Sequence, residues 1–307
     1  MTKQVLITGG VGFIGHHLVE KLIKENYYPI IIDNFFNADV KNIKHLSSNK
    51  YALINLDINN SMLEKKLKNF KPETTVHLAA IHYIPYCVKH PKKTLKTNFI
   101  GTKKILELSR KLNVKKFIFS SSAAVYKPSK IAHKENDLIK PIDVYGRTKV
   151  ISEKLIENFC SENNMQFFIL RFFNIYGEKN LTPHFIPSLI EKIKKSKNIK
   201  LGNIDTCRDY IYIDDIIEIV SKIIKIKKEK GGIYNIGTGH KYSGKDIILL
   251  VENILNQKIK INKDEELVRK NDRKFLVANI DKIKKAYNWQ PTFSLRDGLK
   301  KLIKNNE

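Results

Sequence analysis

Tyr145 and Lys149 stand four residues apart in Tyr145-Gly146-Arg147-Thr148-Lys149, at the start of a stretch with helical spacing. One helical turn puts both side chains on the same face. Upstream, Ser120-Ser121-Ser122 closes an apolar run that reads as a strand, and the sites of parallel sheets open at such strand ends. These three residue types suit a proton transfer from a hydroxyl. A free tyrosine, with pKa near 10, is ionised to only about 0.1% at neutral pH, and lowering it by about three units corresponds to roughly 4 kcal/mol of phenolate stabilisation. A lysine ammonium a few ångströms away supplies part of that. Ser122 would hydrogen-bond the reacting oxygen. A bare YxxxK is common on helices as a half-buried Tyr beside a solvated Lys, so the reading depends on its surroundings.

The surroundings begin at the N-terminus. Val5–Thr8 runs into Gly9-Gly10-Val11-Gly12-Phe13-Ile14-Gly15 and then a helical stretch. Gly10, Gly12 and Gly15 fit GxGxxG, while Gly9, Gly12 and Gly15 fit GxxGxxG. Either spacing gives a tight turn, lets backbone N–H groups approach a pyrophosphate and aims a helix N-terminus at it. Asp33 ends the second apolar run, where an acidic side chain would bond the adenosine ribose hydroxyls. A carboxylate there repels a 2′-phosphate and favours NAD over NADP. The positive charge of oxidised nicotinamide would then join Lys149 in lowering the Tyr145 pKa, and hydride would leave the carbon whose hydroxyl Tyr145 deprotonates. Asp57 follows the third apolar run, and from the residues alone it reads equally as an adenine contact or a surface turn.

Positioning these groups requires alternating strands and helices. Val5–Thr8, Pro29–Asp33, Tyr51–Asn55, Thr75–Ala79, Lys116–Ser121 and Phe167–Phe172 read as buried strands, with helical spacing over Ile14–Glu25, Thr94–Leu112 and Val144–Asn163. This alternation predicts an α/β fold, a Rossmann-type doubly wound parallel sheet with right-handed crossovers. After about Asn174 the pattern loosens. Loops are expected around Thr182–Pro187 and Gly202–Arg208, helices near Ser188–Lys197, Asp214–Lys227 and Gly244–Leu255, and a strand at Gly232–Ile236. The expected division is an NAD-binding domain over 1–173 and a smaller α/β substrate-binding region over 174–307, with segments that interleave and part returning to the first sheet.

At 307 residues, 42% hydrophobic and 28% charged, the chain has the composition of a globular protein. No apolar run reaches the roughly 18 residues that span a bilayer, and Met1–Gln4 leads straight into a strand without a secretory pattern. Three cysteines outside any CxxC pattern, Cys87, Cys160 and Cys207, suit a reducing cytoplasm and argue against a disulfide framework or a metal site. The net charge of +25 is spread along the chain without a compact basic block or a nucleic-acid-binding module. No nucleic-acid or membrane partner is therefore expected. Only seven of the 56 basic residues are Arg, so each Arg marks a place where a planar, forked donor could matter.

With these residues assembled, the chain resembles the extended short-chain dehydrogenase/reductases, the NAD-dependent epimerase/dehydratase family. The resemblance runs through Thr8–Gly15, Asp33-Asn34, Asp57-Ile58, His77-Leu78-Ala79-Ala80, Asn98, Ser120–Tyr126, Tyr145–Lys149, Leu170–Gly177, Arg208–Asp215 and Tyr234–Gly239. It implies Ser122, Tyr145 and Lys149 as the catalytic group. It implies NAD contacts from Gly9, Gly12, Phe13, Ile14, Gly15, Asp33, Asn34, Asp57, Ile58, Leu78, Ala79, Ala80 and Asn98, with Tyr145 and Lys149. It also implies that Asn174, Arg208 and Arg269 hold the diphosphate of a nucleotide sugar, and that the chain forms a homodimer through the helices near Thr94–Leu112 and Val144–Asn163.

Family members that dehydrate or decarboxylate resemble one another in an acidic residue just after the catalytic Ser or Thr; here Ala123 and Ala124 follow Ser122. The Cys that 3,5-epimerases place at the position of Ala124 is missing too. Oxidation at C4 followed by re-reduction from the opposite face then needs no second acid or base. The expectation is an NAD-dependent 4-epimerase of a UDP-hexose or UDP-N-acetylhexosamine. Another sugar-nucleotide oxidoreductase or dehydratase of the family is the alternative, and a non-catalytic NAD-binding sensor the reading from another class. His82 lies where family members meet the sugar, in the unusually aromatic segment Ile81–Cys87. Leu276 aligns with a position where a Tyr restricts some 4-epimerases to unsubstituted hexoses, so the smaller Leu could admit an N-acetylated sugar.

Overall fold

The computed structural model describes residues 2–227, 231–267 and 273–304. Strand β1 (Gln4–Thr8), with four buried residues in a row, feeds the glycine turn and helix α1 (Phe13–Lys24). Strands β2 (Tyr28–Asp33) and β3 (Ala52–Asn55), helix α2 (Leu63–Leu67) and strand β4 (Thr74–His77) follow. Next come α3 (Ile84–Lys89), α4 (Pro91–Leu95), α5 (Thr102–Lys111), β5 (Lys116–Ser122), α6 (Val144–Glu162) and β6 (Gln166–Phe172). The chain continues through β7 (Asn174–Tyr176), α7 (Phe185–Lys195), β8 (Asn198–Leu201), β9 (Cys207–Arg208), β10 (Tyr210–Tyr212) and α8 (Ile213–Lys225) to β11 (Gly232–Ile236).

Seven strands form one sheet in the order β11-β6-β5-β4-β1-β2-β3. The β1–β2, β1–β4, β2–β3 and β4–β5 pairs run parallel. Strand order reverses at β1, which lies between β2 and β4, and ligand crevices of such sheets open at the carboxyl end of that switch point. This is the doubly wound sheet that the strand–helix alternation predicts. Buried on both faces, its inner strands read as continuous apolar runs rather than alternating ones; the edge strand β3, expected to be buried, instead alternates half-buried and exposed residues. Leu6, Ile30, Phe117, Ile156 and Ile169 belong to the core cluster on one side of it.

The chain forms two compact units. One comprises Met1–Tyr126, Ile139–Arg171 and Ile217–Tyr234; the other comprises Lys127–Leu138, Phe172–Ile216 and Asn235–Glu307. The second is built on small sheets: β7 with β10, β8 with β13 (Lys260–Lys263), and β9 between β12 (Tyr242–Ser243) and β14 (Phe275–Leu276). Helices α9 (Gly244–Leu255), α10 (Asp281–Tyr287) and α11 (Leu295–Lys304) complete it.

Three stretches depart from the sequence pattern. The helix expected over Thr94–Leu112 contains a π-helical segment at Lys96–Gly101. The Asn98 carbonyl there accepts bonds from Thr102 Oγ1 (2.7 Å) and Ser152 Oγ (3.0 Å), and hydroxyls inserted in this way widen a helical turn. The aromatic segment after Ile81 is not all loop, because α3 starts at Ile84 with Pro85 in its first turn. Proline is tolerated there since that turn's N–H groups have no helical partner. For the same reason α7 starts at Phe185 and takes Pro187 into its first turn, inside the expected loop.

Candidate active site

The glycine turn is held from both sides. Gly9 adopts φ +71, and a Cβ there would meet the Ala79 backbone nitrogen at 2.9 Å. A Cβ on Gly15 would lie 2.1 Å from the Gly9 carbonyl oxygen, so only glycine lets α1 pack on the turn. At Gly12 an added Cβ would meet only the Gly9 carbonyl oxygen, at 3.3 Å, and otherwise open space. Gly12 also caps α1, whose first N–H groups need acceptors. An open glycine at a helix N-terminus fits a pyrophosphate.

Asp33, 7% exposed, lies at the end of β2. Its Oδ2 accepts the Val11 N–H (2.9 Å) and its Oδ1 the Phe35 N–H (2.9 Å). Burial raises its carboxyl above the ordinary value, while those backbone N–H groups pull the other way. Two bonds leave acceptor capacity on a carboxylate for ribose hydroxyls. Asn34 donates to Asp57 (2.7 Å), which joins the ends of β2 and β3. Ile58 is buried beside Gly101. Leu78, Ala79 and Ala80 follow β4, and Thr8 accepts the N–H groups of Leu78 at its carbonyl (3.1 Å) and of Ala79 at its hydroxyl (3.2 Å). Phe13 and Ile14 lie half-buried in the first turn of α1.

On α6, Tyr145, Lys149 and Glu153 follow at four-residue intervals, and three consecutive serines of β5 meet that stripe. Ser122 is the neighbour that lowers the Tyr145 phenol, and its hydroxyl oxygen accepts the Ala124 N–H (3.1 Å). The Ser120 carbonyl accepts from Lys149 Nζ at 2.6 Å. The Ser121 hydroxyl donates to Glu153 Oε1. Asp143 caps the helix through the Gly146 N–H (2.8 Å). Lys149 is 2% exposed, with Nζ 4.5 Å from the Phe119 ring centroid and 5.7 Å from that of Tyr145. Burial pulls its ammonium down to about 7, opposed by the charge of Glu153. Burial raises the Tyr145 phenol above its ordinary value, and Ser122 beside it pulls the other way. Ala123 and Ala124 are buried in the turn after Ser122.

Glu153, Arg171 and His77 around this stripe have no role in the sequence reading, whereas Asn98 and His82 are named there. Arg171 of β6, 3% exposed, forks onto Glu153 through Nε (3.0 Å) and Nη2 (2.7 Å), and its Nη1 donates to the Tyr126 hydroxyl (2.9 Å). The scarcity of arginine and the extra turn from Lys149 to Glu153 are the signals that could have found this pair. His77 at the end of β4 lies between the Thr8 hydroxyl (2.6 Å) and the Thr102 hydroxyl (2.9 Å), and burial pushes its imidazole down to about 3. Asn98 clamps Ile81 through both its N–H (2.8 Å) and its carbonyl (2.9 Å), and reaches Thr148 on α6 (3.1 Å). That clamp fixes the chain just before His82. Burial and the nearby charge of Lys149 lower the His82 imidazole, which stays neutral.

In the second unit, Asn174 opens β7 and its N–H donates to the Asp209 carbonyl (3.0 Å). Arg208 is half-buried on β9, between Tyr242 and Leu276 of the neighbouring strands. Asp209, fully buried, accepts from Thr238 N (2.8 Å), Thr238 Oγ1 (2.6 Å), Gly239 N (2.9 Å) and Ala278 N (3.2 Å), fixing the loops beside Arg208. Leu276 is 8% exposed. Arg269 lies outside the described residues. Among the described residues no helix is long and apolar enough to cross a membrane, and no group of three or more His, Cys, Asp or Glu gathers to hold a metal.

The profile of a family described as GDP-mannose 4,6 dehydratase matches residues 6–302. A UDP-glucose 4-epimerase of Lactobacillus helveticus is 29% identical over 94% of this chain and 92% of its own. A UDP-glucuronic acid 4-epimerase from Bacillus cereus, solved with UDP-glucuronic acid and NAD, superposes with a TM-score of 0.91 at 30% identity, over 99% of this chain and 100% of that one. A UDP-N-acetylglucosamine 4-epimerase from Methanobrevibacter ruminantium M1, solved with UDP-N-acetylmuramic acid, gives 0.90 at 27% identity, over 99% and 97%.

Proposed function

Because the chain belongs to the GDP-mannose 4,6-dehydratase family, we propose that it is an NAD-dependent 4-epimerase of a UDP-linked sugar, acting in the cytoplasm in carbohydrate biosynthesis. The observation that carries the choice of reaction is the turn after Ser122. It offers two buried alanines where dehydration needs an acid.

The turn of Gly9, Gly12 and Gly15 with the N-terminus of α1 would hold the NAD pyrophosphate, and Asp33 its adenosine ribose. When bound, NAD supplies a hydride acceptor that can return the hydride to the same carbon. The protein's own groups handle the proton. Tyr145 takes it from the C4 hydroxyl and gives it back, and Ser122 bonds the same oxygen. Lys149 brings positive charge to the phenolate side without leaving its bond to the Ser120 carbonyl. His82, kept neutral, is assigned to the sugar as a hydrogen-bonding group rather than a charge. Asn174, Arg208 and Arg269 are assigned to the diphosphate, the arginines by charge-assisted bonds. The keto sugar turns over between the two hydride transfers, so NAD is neither consumed nor released.

The test is to incubate the purified protein with a panel of UDP-sugars, without added cofactor, and to follow C4 configuration by NMR. C4 epimers are the expected products. A stable keto product or stoichiometric NADH would overturn the assignment. Leu276 favours an N-acetylated sugar, so UDP-N-acetylglucosamine should turn over; efficient use of UDP-glucose alone would refute that refinement. A homodimer through α5 and α6 completes the proposal. Ile100, just before α5, and Ile151, on α6, are each 39% exposed, and light scattering at twice the chain mass is the expected result.

A further inference from the structure

Glu153 has no part in the chemistry assigned above, yet it is 3% exposed and ionic, in a place where an unpaired charge is costly. Its carboxylate collects Arg171 through a two-pronged bond and the hydroxyl of Ser121. Arg171 in turn reaches Tyr126, at the far end of the turn that starts at Ser122. The pair therefore joins α6, β5, β6 and the turn after Ser122, three of which carry or adjoin Ser122, Tyr145 and Lys149. We propose that Glu153, braced by Arg171, is a positioning residue for the reaction, fixing the register of α6 against the serine strand and placing a negative charge one helical turn from the Lys149 ammonium.

Register follows from the stripe. With Ser121 held by Glu153 and the Ser120 carbonyl held by Lys149, Ser122 faces Tyr145 one turn further along. A slip of α6 would break the bonds to Ser120 and Ser121 together. Charge follows from the neighbours of Lys149. Tyr145 and Glu153 flank it on α6. Cys87 on α3, His77 at the end of β4 and His82 beyond it are within electrostatic reach of Lys149, and the Phe119 ring and the Ser120 carbonyl of β5 lie against its Nζ. Asp143 acts on Tyr145 and Cys87. His77 and His82 are held neutral, and burial raises the Cys87 thiol to about 11. Glu153 is thus the carboxylate that opposes the loss of the Lys149 proton.

This rests on the reading of Tyr145 and Lys149 as the catalytic pair, so Tyr145→Phe is run in parallel. The central variant is Glu153→Gln, read by the pH dependence of kcat on UDP-N-acetylglucosamine and UDP-glucose. Losing the carboxylate lets Lys149 deprotonate at lower pH. The basic limb of kcat should move down by about one unit, with kcat at pH 8 falling about tenfold and KM little changed. Because Arg171 loses its carboxylate counter-charge in that variant, Glu153→Gln/Arg171→Met removes both charges and should fold better. Its unfolding midpoint should recover while the limb stays displaced. A limb at the wild-type position in either variant, with only the unfolding midpoint altered, would overturn the positioning role. If Tyr145→Phe abolishes turnover in that case, the function stands without this inference; full turnover by Tyr145→Phe would remove both.

Discussion

Two buried carboxylates mark the two ends of the proposed site, and they are kept in different ways. Asp33, at the proposed dinucleotide end, is satisfied by backbone N–H groups within a few residues or in the adjoining turn, and among the described residues it has no ion pair. Glu153, behind the catalytic stripe, is satisfied by a guanidinium on β6 and a hydroxyl on β5. Backbone donors cannot be mutated away. A guanidinium can be lost in one substitution, leaving a bare charge inside the protein. The difference teaches that the cofactor end is locally self-sufficient, while the catalytic end depends on long-range pairing for its order.

The contrast breaks first, and hardest, at Arg171. Arg171→Met strands the Glu153 charge and should destabilise the protein by about 3–5 kcal/mol, measured by the shift of the urea unfolding transition. Asp33→Asn keeps an acceptor for one of the backbone donors and turns an amide NH2 on the other, and should lose about 1–3 kcal/mol in the same measurement. Equal losses would erase the distinction.

Lys149 sharpens the contrast through pH. Its amine loses a proton near pH 7 in the fold and near 10.5 in the unfolded chain. Between those values the unfolded state binds more protons, so stability rises with pH, by up to about 1.4 kcal/mol per unit. The penalty is complete below about pH 7 and vanishes above 10.5. Lys149→Met should flatten that slope and raise stability at neutral pH while abolishing turnover. Urea unfolding at a series of pH values reads it out.

The smallest effect is expected in the affinity of Asp33→Asn for cofactors. Without a full charge to repel a 2′-phosphate, the preference for NAD over NADP should narrow by about tenfold or less, as read by titration of cofactor fluorescence. An unchanged preference would take Asp33 out of cofactor selection.

These two ends also differ in how far the sequence discloses them. Gly9 to Gly15, Asp33, and Tyr145 with Lys149 carry meaning in short spacings, because a tight turn, a strand end and a helical face are local. The seven-stranded sheet was legible for a related reason: strands buried on both faces appear as unbroken apolar runs. Glu153 finds Arg171 18 residues away and Ser121 32 away, contacts that no local period encodes. The π-helical segment was hidden likewise, since the Ser152 hydroxyl that bonds Asn98 lies 54 residues from it. The small sheets of the second unit have strands of two to four residues, too short for periodicity to register.

The central claim is that Tyr145 works with a hydride that leaves C4 and returns to the same carbon. The direct measurement follows a UDP-sugar carrying deuterium at C4 through a single pass over the wild-type protein. Retention of the label at C4 of both epimers, with none in the cofactor pool and none at another carbon, is the expected result. Label moved to a different carbon, washed out to solvent or accumulated in released cofactor would contradict it.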